Sequence, residues 1–398
     1  MSIIDKFEGK SVLIWGYGVE GKSTKNFLDK YCNTSKTDVF EGKADELPAN
    51  GYDYIIKSPG IPGDYKEPVF TSQTQLFLEE FRDKTIGITG TKGKSTTTSM
   101  LYHVLSNLLD KKVVLVGNIG IPCLDYYEEM LGDTIAVMEM SCHQLNNLTV
   151  SPHLAVFLNL YEEHLDYYKT FEKYAAAKMN ISRYQIPGDR VFVGSEVPNF
   201  ETRGLEYRIP EFEEKKFDLQ ILGMHNQWNA EFVRMLCVSA LKLNEMDVIA
   251  EICSFKGLPH RLEFIGTKNG VYYYDDSIST IPLACINACK SVPNVRMVII
   301  GGMDRGIGYE ELVSFIRNNH EIMFLCAYAT GKRIYEEANR VFNVVLVKDI
   351  DEAVAFAEKY AEEGDGVVLS PAAASYGYFK NFAERGDYFK KKVFGDVQ

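Results

Sequence analysis

The chain has 398 residues, 46% of them hydrophobic, and a formal net charge of −12. That length allows more than one core, since single cores stop growing near ~250–300 residues. The acidic balance excludes general affinity for nucleic acid or anionic membranes, so any anionic ligand must be held by local basic groups and helix ends. The eight cysteines include no Cys-x-x-Cys pair. Cys285 and Cys289 are spaced like neighbouring helix turns, and free buried thiols in a reducing compartment are expected. The N-terminal Met-Ser-Ile-Ile-Asp-Lys lacks a charged-then-apolar leader, and no apolar run reaches the ~18 residues of a membrane span. A cytoplasmic chain with no nucleic-acid or membrane partner is expected.

The first elements alternate short β-branched runs with turns: Ser11–Trp15, Thr37–Phe40 and Tyr54–Ile56, the last leading into Lys57-Ser58-Pro59-Gly60. This is the spacing of βαβ units. The first strand ends in Gly16-Tyr-Gly18-Val19-Glu20-Gly21, a Gly-x-Gly-x-x-Gly turn entering a helix over 22–30. Glu41 follows about 20 residues later, at the end of the second strand. Both halves of a dinucleotide fingerprint are present, with a plain tight turn as the competing reading.

A second α/β domain starts near Lys84. Its opening stretch, Thr85-Ile-Gly-Ile-Thr-Gly90-Thr91-Lys92-Gly93-Lys94-Ser95-Thr96, passes from an apolar strand through a glycine turn into a helical pattern. Such a loop binds phosphate: glycines let backbone N–H groups close round the oxygens, Lys94 reaches the outer phosphates, and Ser95 ligands Mg²⁺ at the helix N-terminus. The Gly-x-x-x-x-Gly-Lys-Ser/Thr template asks for glycine at 88, where this chain has Ile88, so the loop is a variant with its glycine at Gly90. Further strands are expected at 113–116, 135–138 and 155–158. Glu139, ending the second of these, is read as a Mg²⁺ ligand in preference to a solvated carboxylate, because a phosphate loop precedes it. His164, beyond the third, can ligate a second Mg²⁺ or cap the loop, and the preference of Mg²⁺ for oxygen favours the cap. Lys178 follows three alanines in a helical pattern and, on its own, reads as an ordinary surface lysine. A third domain starts near Gly257, with strands at 271–274, 296–300 and 366–370. A hinge is expected near residues 255–260.

Together these motifs resemble the ATP-dependent Mur ligases of peptidoglycan synthesis, over essentially the whole chain. The resemblance rests on Gly90-Thr-Lys-Gly-Lys-Ser95, Gly117-Asn-Ile-Gly120, Glu139-Met-Ser141, His164-Leu-Asp166, Ala177-Lys178, His225-Asn226 with Asn229, and His260-Arg261, in the family's order. Ser58-Pro-Gly60, Ser370-Pro-Ala-Ala-Ala-Ser375, Phe379-Lys-Asn-Phe382 and Arg385-Gly386 look most like the branch that adds glutamate to UDP-N-acetylmuramoyl-L-alanine. The Asp-Asn-Pro-Arg motif of the diaminopimelate- and lysine-adding members is absent from the sequence.

The resemblance implies an α/β fold of three domains. These are a Rossmann-like UDP-substrate domain (1–83), a central P-loop ATPase-type domain with a mostly parallel sheet (84–257), and a C-terminal Rossmann-like domain for the amino acid (258–398). It implies ATP and Mg²⁺ as cofactors, a cytoplasmic monomer, and an acyl phosphate on the substrate carboxylate that the amino group of glutamate attacks. By the same resemblance Gly90, Thr91, Lys92, Gly93, Lys94, Ser95, Thr96, Asn229, Arg261 and Asp276 would hold ATP. Ser95, Glu139, His164 and a carbamylated Lys178 would serve Mg²⁺, with Lys94, His164 and Lys178 catalytic. Gly18, Val19, Glu20, Glu41, Ser58, Pro59, Gly60 and Asn118 would hold the UDP-substrate, and Thr280, Arg305, Ser375 and Phe382 the incoming glutamate. The fingerprint at Gly16–Gly21 then faces a UDP diphosphate rather than a nicotinamide cofactor.

The chain departs from the family in the third domain. Asp276-Ser-Ile278-Ser-Thr280 stands where Asp-Ser-Lys-Ala-Thr is typical, so a lysine is replaced by an apolar residue. Arg305 stands where lysine is frequent, and its planar fork has a different reach. D-Glutamate is the expected acceptor, with L-glutamate, a sister Mur ligase, a folylpolyglutamate synthase-like enzyme and a non-catalytic nucleotide-binding homologue as alternatives. Retention of Lys94, Glu139, His164, Lys178 and Arg261 argues against the last.

Overall fold

The computed structural model describes residues 2–395 apart from Ala49, Lys66 and Arg340. The chain forms two compact units, Met1–Asp218 with Met224–Phe255, and Leu219–Gly223 with Lys256–Gln398. The chain passes from the first unit to the second between Phe255 and Lys256, in the region expected to hold a hinge. The short return of 219–223 to the second unit has no signal in the sequence.

The first unit contains two sheets. In the first, β1 (Ser11–Trp15), β2 (Lys36–Phe40), β3 (Tyr54–Lys57) and β4 (Phe70–Thr71) lie in the order β2-β1-β3-β4, all parallel. The helix after β1 runs Val19–Tyr31, three residues earlier than its periodicity suggests. The reason is the turn itself. Gly16 has φ +93° and a Cβ at Gly21 would fall 2.1 Å from the Gly16 carbonyl oxygen, so the chain turns tightly enough for Val19 to open the helix.

The second sheet comprises β5 (Thr85–Thr89), β6 (Lys112–Gly117), β7 (Thr134–Glu139), β8 (Leu154–Phe157), β9 (Arg190–Gly194) and β10 (Leu205–Ile209), in the order β10-β9-β8-β5-β7-β6, all parallel. All of β5 and β8 is buried, as expected for central strands covered on both faces. Phe27 and Ile56 from around the first sheet belong to the same apolar cluster as Met138 and Phe157 of the second. The two sheets therefore share a core.

The second unit holds β11 (Glu263–Lys268), β12 (Val271–Asp275), β13 (Val295–Ile300), β14 (Met323–Cys326), β15 (Val344–Leu346) and β16 (Gly366–Leu369), in the order β11-β12-β16-β13-β14-β15. Only β11 is antiparallel, an edge hairpin on an otherwise parallel sheet. All eight cysteines are free thiols. Among the described residues no helix is long and apolar enough to cross a membrane.

Candidate active site

The phosphate loop leaves the C-terminal end of β5, at the centre of its sheet, and enters the Lys94–Leu108 helix. Gly93 caps that helix at φ +83°, and a Cβ there would lie 2.6 Å from Asn229 Oδ1. Glycine is required on both counts, and Asn229, 5% exposed, closes directly on the loop. The opposite side is clamped by Asn159. The Lys92 amide donates to Asn159 Oδ1 (2.8 Å), Asn159 Nδ2 donates to the Lys92 carbonyl (3.1 Å), and the Thr91 amide donates to the Asn159 carbonyl (3.0 Å). No sequence signal singles out Asn159, because its partners lie 67 residues away.

Lys94 Nζ folds back onto the loop, donating to the carbonyls of Gly90 and Thr91 at 2.9 Å each. Burial holds its ammonium below the usual lysine range, while Glu139 and Glu163 oppose that shift. Lys92 extends outward to Glu163 Oε1 at 2.6 Å. Ser95 is half-buried and Thr96 buried in the first helical turn.

Lys178 is 1% exposed, which overturns its reading as a surface lysine. Its helix, Phe171–Arg183, is capped by Thr170 and packs Tyr174, Ala175, Ala177 and Ile181 inward. Ala177 and Ala175 are small enough to let the helix approach the sheet, and the neighbouring Lys178 is carried in with them. Its Nζ donates to the Gly90 carbonyl (2.7 Å) and Thr89 Oγ1 (3.4 Å). Burial, then the Lys94 charge, pushes this ammonium down to about 7.

Glu139 ends β7 and is 1% exposed. Its Oε1 accepts from Asn118 Nδ2 at 2.7 Å, and its Oε2 is buried without a hydrogen-bond partner. An orphaned carboxylate oxygen beside a phosphate loop fits a hard cation, which prefers oxygen ligands. The two ammonium groups nearby oppose that fit, and converting one of them to an anion would remove the conflict. His164 adopts φ 56° at the start of a short helix, with its ring 5.2 Å from that of His143. Burial, then the charges of His164 and Lys57, pushes His143 down to about 4, so it is neutral at pH 7.

Val19, Glu20, Pro59, Gly60 and Asn118 line one cavity of about 460 Å³, together with Ser141, His143 and Gln144. The expected substrate residues of the first two sheets are thereby brought together, apart from Gly18, Ser58 and Glu41. Ser58 Oγ donates to the Gly16 carbonyl and buttresses the glycine turn, and Glu41 is exposed past the end of β2. Glu20 Oε1 accepts from Gln144 Nε2 at 2.7 Å, and burial pushes the Glu20 carboxyl up. Glu20 thus anchors the turn to the second sheet, a role its sequence position does not reveal.

In the second unit, Asp276 is pinned by Leu262 N (3.1 Å) and Ser370 Oγ (2.8 Å), and burial pushes its carboxyl up to about 6. Arg261 is exposed. Arg305 Nη2 donates to the Thr280 carbonyl (3.0 Å), and Met303 bridges to Ala374, next to Ser375. Arg385, 1% exposed, joins the same loops from beneath. Its guanidinium donates to Ser277 Oγ (3.0 Å), the Ser277 carbonyl (2.7 Å) and the Ala373 carbonyl (3.0 Å). Ser277 Oγ in turn donates to the Phe382 carbonyl at 2.7 Å. Thr280, Arg305 and Ser375 therefore sit on one braced set of loops, to which Ser277 ties Phe382 at the start of the Phe382–Phe394 helix. His260, Glu263 and Asp275 cluster closely, but Lys390 lies 2.7 Å from Glu263 and 3.7 Å from Asp275, and its ammonium fills the place of a cation.

Comparison with known proteins supplies a relationship for this geometry. The family profile described as "Mur ligase middle domain" matches residues 88–202, and "Mur ligase, glutamate ligase domain" matches 260–373. The chain is 31% identical to "UDP-N-acetylmuramoylalanine--D-glutamate ligase" of Aquifex aeolicus, over 96% of this chain and 98% of that protein. It is 32% identical to the protein of the same name from Lachnoclostridium phytofermentans, over 97% and 98%. Among solved structures it superposes on UDP-N-acetylmuramate-alanine ligase MurC of Thermotoga maritima with TM-score 0.60 at 17% identity, covering 96% of this chain and 99% of that one. That likeness is one of fold.

Proposed function

Because this chain belongs to the Mur ligase family, we propose that it is an ATP-dependent, ADP-forming ligase joining D-glutamate to UDP-N-acetylmuramoyl-L-alanine for peptidoglycan synthesis. The observation that carries the reading is the meeting of Lys94, Lys178 and the orphaned Glu139 oxygen around one phosphate loop. A carboxylate is too poor an electrophile to accept an amine directly, so the carboxylate of the substrate takes the γ-phosphoryl of ATP and becomes an acyl phosphate. The glutamate nitrogen then attacks the acyl carbon, the C–O bond to phosphate breaks, and the ammonium proton is released as the amide forms. Most of the catalysis is positioning and charge stabilisation.

With the Thr91 and Lys92 amides held by Asn159, the amides of 93–96 at the helix start hold the phosphates, and Lys94 leaves its carbonyl partners to neutralise charge spreading over the transferred phosphoryl. Glu139 and Ser95 would hold Mg²⁺, with His164 and a carbamylated Lys178 serving a second ion, and the metal would add charge neutralisation at the phosphates. Lys178 suits carbamylation because an ammonium near 7 exposes a free amine at neutral pH, and the amine is the form that reacts with CO₂. The family resemblance further assigns Asn229, Arg261 and Asp276 to ATP. The cavity at Val19, Glu20, Gly60 and Asn118 takes the UDP-sugar, with the Gly18–Gly21 helix start facing diphosphate. Arg305, Thr280, Ser375 and Phe382 take glutamate, Arg305 replacing the charge that Ile278 does not carry. The three sheets then act as three modules, 1–83, 84–257 and 258–398, in a cytoplasmic monomer.

The test is isotopic. With ¹⁸O in the substrate carboxylate, turnover should deliver one ¹⁸O into the released phosphate. Turnover with unlabelled phosphate would overturn the acyl-phosphate route.

A further inference from the structure

A second cavity of the first unit lies apart from the residues assigned above. It has about 760 Å³, within the about 300–1,000 Å³ typical of small-molecule sites. Of the residues proposed for ATP, metal or substrate, only Pro59 lines it. Pro59, His143 and Gln144 also line the 460 Å³ cavity and form a partition between the two. One wall is the face of the Phe171–Arg183 helix that carries Lys173, Ala176, Asn180 and Arg183, beside the face that carries Lys178. The facing wall comes from 63–79.

The charges on these walls are uneven. Asp64, Glu67 and Glu79 come from the 63–79 side, and Glu79 is taken by Lys6 at 2.7 Å. The other side supplies Lys169, Lys173 and Arg183, none of which has an ion pair among the described residues. Among the described residues the Lys169 ammonium donates to the Asp166 carbonyl and the Arg183 guanidinium to the Asn180 side-chain oxygen. At the partition stands Lys57, 8% exposed, with its Nζ donating to the Ile61 and Ser58 carbonyls at 2.7 and 3.2 Å. An ammonium has three donors, so one remains for a guest. Its hydrogen-bond acceptors are neutral carbonyls and the Glu20 carboxylate offsets only part of the cost of burial, so an anion beside it would offset more. Burial already holds Lys57 down to about 8. Tyr65, Tyr167, Tyr168 and Tyr184 add flat apolar surface.

We propose that this cavity is a second small-molecule site, distinct from the substrate cleft, which takes an organic anion with an aromatic body and anchors its charge on Lys57. A ligand there would press on His143 and Gln144, and through Gln144 on Glu20 of the glycine turn.

The probe is 8-anilinonaphthalene-1-sulfonate, an aromatic sulfonate whose fluorescence reports sequestration, titrated into the full chain. One saturable class near one probe per chain is expected. It should persist with ATP or UDP-N-acetylmuramoyl-L-alanine present. Lys57→Met should weaken it about tenfold or more, the scale of one charge-assisted contact. Ala176→Trp, which fills the cavity from the half-buried helix face, should abolish it, with melting curves confirming that both variants fold. Unsaturable binding, displacement by either substrate, or equal affinity in both folded variants would overturn the proposal.

Discussion

Asn159→Ala offers a direct reading of how the phosphate loop is held. The substitution removes two hydrogen bonds, Lys92 N to Asn159 Oδ1 and Asn159 Nδ2 to the Lys92 carbonyl, and keeps the backbone bond from Thr91. Each such bond contributes ~0.5–1.5 kcal/mol net, and the solvent-exposed setting puts both toward the lower end. About 1–2 kcal/mol of loop order is then lost before nucleotide binds, which converts to a roughly 5- to 30-fold rise in KM for ATP and in Kd for ADP. The kcat at saturating ATP should barely change, because the clamp acts equally on the ground and transition states. Melting temperature should hold within about 2 °C, since the lost bonds are at the surface. Asn159→Asp separates geometry from charge. It keeps the acceptor for Lys92 N but sets a carboxylate toward the phosphates, and it should be worse than alanine. Phosphate release measured against ATP concentration, with ADP calorimetry, provides the assay. An Asn159→Ala variant within about twofold of the native KM, or an aspartate variant that binds ADP normally, would refute the clamp.

The other expectations concern charge. Lys94→Ala should abolish ligation with an unchanged melting curve, and near-normal turnover would sink its role at the phosphoryl group. Lys178→Ala should be nearly inactive and recover with formate or acetate, whose carboxylates stand in for the carbamate. A failure of rescue points to a plain ammonium. Asp276 gives a pH test. Its carboxyl is raised from 3.8 to about 6 by burial, so the ionised form is disfavoured in the folded state. The penalty is absent below pH 3.8, grows as pH rises toward 6, and is constant above at about 3 kcal/mol. The stability of the native chain minus that of Asp276→Asn should fall by that amount between pH 4 and 6.5 in urea unfolding. A flat difference contradicts the burial account.

The parts of the site written in contiguous sequence were legible. An apolar run breaking into Gly90–Ser95 reads as a strand feeding a helix through a glycine turn, and the chain adopts that geometry. Lys178 was legible only through family resemblance. Its own pattern, a lysine after alanines, does not say which helical face meets the sheet, and burial reverses the ordinary reading. Asn159, Gln144 and Lys57 carry no motif, since each acquires its role from partners brought together by folding. Arg385 is intermediate. It stands in a recognisable segment, but its bracing of Ser277 and Ala373 across 108 and 12 residues emerges only in three dimensions.

The acceptor is the most exposed point of the account, because Ile278 and Arg305 both depart from the usual pattern beside it. Phosphate release with UDP-N-acetylmuramoyl-L-alanine, ATP and Mg²⁺, comparing D-glutamate, L-glutamate and other amino acids, measures it directly. Turnover with D-glutamate and little with the rest is expected. Turnover only with L-glutamate would contradict the assigned stereochemistry, and no phosphate release with any amino acid would contradict the ligase itself.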